Sequence, residues 1–125
     1  MLRKLTSLVA AAALALALSG NAFAASTAWL RVIIVKTVNL AAYQQEIDKG
    51  QAMLKKLGVQ TTIRMWRATF AGTDAGAIAV SQEFPSWQAF SDAQAKIAAD
   101  KEFQAWLANL DKIRTITSDS LYREL

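Results

Sequence analysis

The sequence contains no cysteine and no histidine. Without cysteine there are no disulfides, thiolate metal sites, iron–sulfur clusters or thiol nucleophiles. Without histidine there is no Ser-His-Asp triad, no His-ligated zinc and no proximal-His haem. Proline occurs once, at Pro85, so the helical stretches run free of internal breakers. Charge is scattered: Lys55-Lys56 is as long as any run of basic residues in the body of the chain. A net charge of +4 spread in this way gives no basic stripe for nucleic acid.

Half of that charge lies in a segment that reads as an export signal. Arg3 and Lys4 form a short positive region, and Leu8 to Leu18 is an unbroken run of Leu, Val and Ala. An Ala22-Phe23-Ala24 site follows, with small residues at its two key positions. This is the three-part pattern of a secretory signal peptide, residues 1–24, cleaved after Ala24. The apolar run is short of the roughly 20 residues that span a bilayer, so no stable membrane anchor is expected. Cleavage removes two bases and no acid, leaving a mature net charge of +2. The expected location is the periplasm or outside the cell. Residues 25–125 then form a single domain held together by core packing or oligomerisation, because this oxidising route finds no cysteine to link.

The mature chain alternates between two periods. Ala28 to Val38 is rich in β-branched residues and reads as a first strand. Leu30, Val32, Ile34, Lys36 and Val38 share one face; Arg31, Ile33, Val35 and Thr37 share the other. Both faces are largely apolar, which predicts a central strand covered on both sides. Asn39 is a helix N-cap. Leu40, Tyr43, Ile47, Gly50, Leu54 and Leu57 then recur at helical spacing, and Gly58 closes the helix behind Lys55 and Lys56. Gly50 falls on the buried stripe, predicting close approach to the sheet. Gln60–Phe70 and Ala77–Phe84 alternate as two strands around the turn Ala71–Gly76. After Pro85, Ser86 caps a helix with the stripe Trp87, Phe90, Gln94 and Ile97. Asp100 caps another that carries Phe103, Trp106, Leu107 and Leu110 on one face. Residues Ile113–Leu125 return to strand composition. The order β-α-β-β-α-(α)-β predicts an α+β, ferredoxin-like domain with a four-stranded antiparallel sheet.

With that order established, the stretch EFPSWQAFSDAQAKIAADKEFQAWLANL resembles the dimeric α/β-barrel superfamily, near the NIPSNAP-like and antibiotic-biosynthesis-monooxygenase-like proteins. The residues that carry the likeness are Phe84, Trp87 and Phe90 after the third strand, and Asp100, Glu102, Phe103 and Trp106 before the last. The resemblance implies a homodimer in which two sheets face each other to close one barrel. It also implies a range of activities, from cofactor-free oxygenases and isomerases to members with none known. The missing histidine argues against the haem-degrading branch.

Four side chains are candidates for a ligand site: Arg64, Trp66, Ser81 and Glu83, on the hairpin faces that would turn toward the barrel interior. An arginine beside an indole can hold an anionic or planar ligand by charge and stacking. A carboxylate in an apolar cavity can act as a base of raised pKa. The plainer alternative pairs Arg64 with Glu83 across the hairpin and makes Trp66 a core or dimer contact. The aromatic stripe of Tyr43, Trp87, Phe90, Phe103 and Trp106 reads as core. Lys112 and Arg114 read as solvated surface, and Tyr122 and Arg123 as residues that would reach a partner subunit. No residue matches a catalytic motif, and no metal or cofactor is expected. The functional expectation is an exported homodimer that binds a small apolar or aromatic ligand in the barrel, or serves structurally. The alternative is a cofactor-independent monooxygenase or isomerase for a small aromatic or quinol-like substrate.

Overall fold

The computed structural model describes residues 27–69 and 71–125. The export signal expected over residues 1–24, and Phe70, expected to end the second strand, lie outside the described residues. The elements are β1 (Trp29–Lys36), α1 (Leu40–Lys56), β2 (Ile63–Arg67), β3 (Ile78–Phe84), α2 (Trp87–Ala99), α3 (Lys101–Leu110) and β4 (Thr115–Arg123). All four strands pair antiparallel in the order β2-β3-β1-β4. This is the ferredoxin-like α+β architecture, with β1 central.

Each helix starts where a short polar side chain can take an orphan backbone N–H. Asn39 accepts from the Ala42 amide at 3.0 Å, Ser86 from Ala89 at 3.1 Å, and Asp100 from Phe103 at 2.9 Å. The hairpin differs from its sequence expectation. Strand β2 is shorter, and the link contains one 3₁₀ turn at Gly72–Asp74. Ladder-like bonds between Ala68 and both Gly76 and Ala77 carry the pairing past Arg67 to that turn.

Odd-numbered residues of β1 and even-numbered residues of β3 face the helices. Ile33 lies opposite Val80 and Val35 opposite Ile78, and all four are buried with Tyr43 and Ile47 of α1 and Leu110 of α3. A second cluster joins Phe84, Leu54, Val59, Ala93 and Phe103 at the other end. Ile63 and Met65 of β2 pack against these clusters, as the alternation predicts. The second stripe is rotated relative to expectation. Ala93 is the buried residue of α2, while Trp87 is exposed and packs at a tilt against Trp29, ring centroids 5.1 Å apart. Gly50 is a close-approach point, but its neighbour is the Trp106 ring of α3 and not the sheet.

The other sheet face carries Leu30, Val32 and Ile34 of β1 along its middle, each only half-buried. Among the described residues β1 is therefore covered on one face, not on both. Across that open face run the rows Trp66–Ala79–Ile34–Ser118 and Arg64–Ser81–Val32–Ser120. Leu30 is flanked by Glu83 and Tyr122. A bulge in β4 between Ser118 and Ile116 sets the register at that end.

Candidate functional site

The four residues singled out from the sequence all lie on the open face, but they do not form one pocket. Trp66 donates its indole N–H to the Ser81 hydroxyl at 2.8 Å. Ser81 is 8% exposed, and Trp66, 54% exposed, supplies its hydrogen-bond partner. Arg64 and Glu83 instead border a depression of about 800 Å³ at the end of β2 and β3, shared with Gln51, Thr61 and Thr62. That depression opens to solvent. Arg64 lies opposite Ser81, two residues along β3 from Glu83. Among the described residues the ion pairs are Arg31–Asp119, Lys49–Glu46, Lys56–Glu102 and Arg114–Asp111, so the Arg64–Glu83 pair is not formed. Gln51 of α1 fixes the entry to β2. It donates to the Thr61 carbonyl at 3.0 Å and accepts from the Ile63 amide at 2.7 Å.

A second cavity, of about 370 Å³, lies on the covered side between the sheet and α2 and α3. Its apolar walls come from Ile33, Ile63, Val80, Ile97, Phe103 and Leu107. Its polar groups are Arg31, Gln82, Gln94, Gln104, Asp111 and Arg114. This is the composition of a small-molecule pocket: mostly apolar, with a few convergent polar side chains.

The electrostatics of the cavity follow from two ion pairs. Arg31 grips Asp119 with both arms, Nε to Oδ1 at 3.0 Å and Nη2 to Oδ2 at 2.7 Å. That hydrogen-bonded guanidinium holds the Asp119 carboxyl below its usual value, against the opposing effect of burial, and the charge of Arg114 acts in the same direction. Arg114 is not on the solvated surface where its sequence neighbourhood places it; its side chain is 7% exposed. Its Nη1 donates to the hydroxyl of fully buried Tyr43 at 3.2 Å and its Nε to Asp111 at 3.3 Å. Those bonds use two of its five N–H groups. Gln104 donates to the Ile97 carbonyl at 2.9 Å. Gln94 is different: its Nε2 is buried and has no hydrogen-bond partner.

The cavity is rich in donors and poor in free base. Asp111, the carboxylate of its lining, is engaged by Arg114. Asp119 lies outside the lining, engaged by Arg31, and its lowered pKa makes it a weak proton acceptor. Among the described residues no three Asp or Glu side chains cluster closely enough to hold a metal ion. None of the described helices is long and apolar enough to cross a membrane.

Sequence reading missed this cavity, although its polar residues left a trace. Arg31, Gln82 and Gln94 all stand at positions whose periodicity assigns them to the core. A polar residue on an apolar stripe is the signal that could have found them.

No protein-family profile matches the sequence, and no curated protein matches it at a significant level. The fold is shared with solved structures of NIPSNAP proteins and of a cofactor-independent oxygenase. A NIPSNAP family protein from Agrobacterium tumefaciens superposes with a TM-score of 0.59 at 14% identity, over 79% of this chain and 83% of the other. An uncharacterized NIPSNAP domain protein from Burkholderia xenovorans gives 0.56 at 12% identity, over 79% and 92%. A variant of SnoaB, a cofactor-independent oxygenase from Streptomyces nogalater, gives 0.53 at 14% identity, over 77% and 89%. At these identities the likeness is one of fold, as the sequence resemblance implied.

Proposed function

We propose that this protein is an exported homodimer that binds a small, flat, mostly apolar molecule in the cavity between its sheet and helices α2 and α3. The cavity carries the proposal: about 370 Å³ is room for a compound of one or two rings, with apolar walls and polar groups on several sides. The dimer rests on the open sheet face, whose central row Leu30, Val32 and Ile34 is left without a covering layer. In such a dimer Arg64, Trp66, Ser81 and Glu83 would face the barrel interior and bear on subunit contact or on a second ligand position.

Binding is favoured over catalysis because the cavity has no free base. The cofactor-independent oxygenase reading draws on the fold likeness to SnoaB, and it calls for a group that takes a proton from the substrate. Asp119, clamped by Arg31, is poorly suited to that task.

A thermal-shift and calorimetric screen with one- and two-ring aromatic compounds tests the proposal. Binding is expected in the wild type, lost in Ile97→Trp, which fills the cavity, and unchanged in Arg64→Ala. Loss of binding in Arg64→Ala with retention in a folded Ile97→Trp would move the ligand to the barrel interior. A screen with no binder would remove the ligand reading altogether.

A further inference from the structure

We infer that Gln94 determines which compounds the cavity accepts, selecting uncharged ring compounds that carry a carbonyl oxygen. This rests on the ligand site proposed above and adds its specificity.

Protein interiors pair nearly all their buried polar groups, because an unpaired amide loses its bonds to water and gains none in return. Gln94 departs from that rule, since its Nε2 is buried without a partner. It does so at the border of a cavity, on a helix stripe otherwise filled by apolar residues such as Phe90 and Ile97. A hydrocarbon side chain at this position would serve packing better. The terminal torsion of an amide is soft, so turning it presents the N–H₂ to the cavity without moving α2. The partner it lacks is an acceptor, and the cavity is where one can arrive.

The remaining polar groups narrow the class. Arg31 is matched by Asp119 and Arg114 by Asp111, so the charges lining the cavity are already paired. A carboxylate ligand would bring an uncompensated charge into a largely apolar space, which is costly. A hydrocarbon would leave Gln94 as unsatisfied as before. A neutral ketone or quinone carbonyl satisfies the donor and adds no charge.

The test uses a matched set of probes: 1-tetralone, its hydrocarbon counterpart tetralin, and tetralin-1-carboxylate. Affinities are measured by calorimetry and ligand-observed NMR on wild type and on Gln94→Met, with Gln94→Leu as a second variant if the first folds poorly. In wild type, 1-tetralone is expected to bind about tenfold more tightly than tetralin, the worth of one hydrogen bond to a buried donor. The carboxylate is expected to bind worse than either. In Gln94→Met the ketone preference falls to about one, tetralin still binds, and the unliganded protein melts no lower than wild type. That last result separates a selectivity donor from a structural one, whose loss would lower the melting temperature. If tetralin binds and the ketone binds no better, or if Gln94→Met keeps the preference, the inference falls and the ligand site stands. If neither neutral probe binds, both fall together.

Discussion

Trp106 of α3 lies directly over Gly50 of α1, so close that a β-carbon on Gly50 would stand 2.6 Å from Cζ2 of the ring. The ring cannot easily retreat. Its indole N–H is bonded to Glu46, one turn earlier on α1, at 3.0 Å. Gly50→Ala therefore sets two effects against each other. Alanine improves helix propensity by about 1 kcal/mol. Displacing the ring costs about 1–3 kcal/mol in overpacking, and about 1 kcal/mol more if the bond to Glu46 breaks. With the bond to Glu46 broken, the net expectation is destabilisation by about 1–3 kcal/mol, read as a lower urea midpoint at unchanged slope. A stabilised Gly50→Ala would mean that α3 is not held against α1 in this way.

Gly58 poses the opposite case, a glycine required by its own backbone. Its φ is +75°, in the left-handed region. The Val59 amide bonds to the Leu54 carbonyl and the Gly58 amide to Lys55, the paired bonds that end a helix in a Schellman motif. Leu54 and Val59 share a core cluster, so this turn also aims the chain toward β2. Gly58→Ala is expected to cost about 1–2 kcal/mol from the left-handed conformation alone. Gly58→Asn should recover part of that loss, because Asn tolerates this region. Equal melting temperatures for the three proteins would count against the motif.

What the sequence revealed and what it hid divide along the range of the interactions. Asn39, Ser86, Asp100 and Gly58 were legible as helix ends because each acts within about four residues of itself. The two faces of the hairpin were legible because strand alternation is local and β-branched residues mark it. The Arg31–Asp119 clamp joins residues 88 apart, and Arg114 reaches a tyrosine 71 residues away. No local pattern brings such partners together, so Arg114 looked like surface and Asp119 like an ordinary strand polar residue. The cavity stayed hidden for the same reason, since its walls come from all four strands and all three helices. Gly50 falls between these cases. Its place on a buried stripe marked a close approach, but only the fold names Trp106 as the neighbour.

The Arg31–Asp119 clamp makes acid stability measurable at one residue. Arg31 holds the Asp119 pKa below its unfolded value of about 3.9. A carboxyl depressed on folding binds fewer protons in the native state. Its contribution is thus complete above the unfolded value and is lost as pH falls through the folded one. Both side chains are partly exposed, so the clamp is worth about 0.5–1 kcal/mol. Asp119→Asn should be less stable than wild type by about that amount near neutral pH. The gap should close as pH falls through the lowered folded value, where wild-type Asp119 itself becomes neutral. Urea titrations at several pH values check this, and a gap that stays constant down to the lowest pH would assign the loss to packing instead.

The open face yields the remaining prediction, and it concerns assembly. Val32 lies at the centre of that face, between Ser81 on β3 and Ser120 on β4. With Leu30 and Ile34 it forms an apolar row that the helices among the described residues, all on the other side, do not reach. Trp66 and Tyr122, both exposed, flank the row at opposite edges of the sheet. A second copy placed sheet to sheet would cover all five side chains at once. Light scattering at micromolar concentration should then give the mass of two chains. Val32→Arg should give one chain with an unchanged far-UV spectrum, since the new charge replaces only a half-buried side chain in the monomer and would be trapped without a partner in the dimer. Ligand affinity separates the two sites. If the ligand sits between sheet and helices, the Val32→Arg monomer binds it as wild type does. If it sits in the barrel interior, monomerisation abolishes binding.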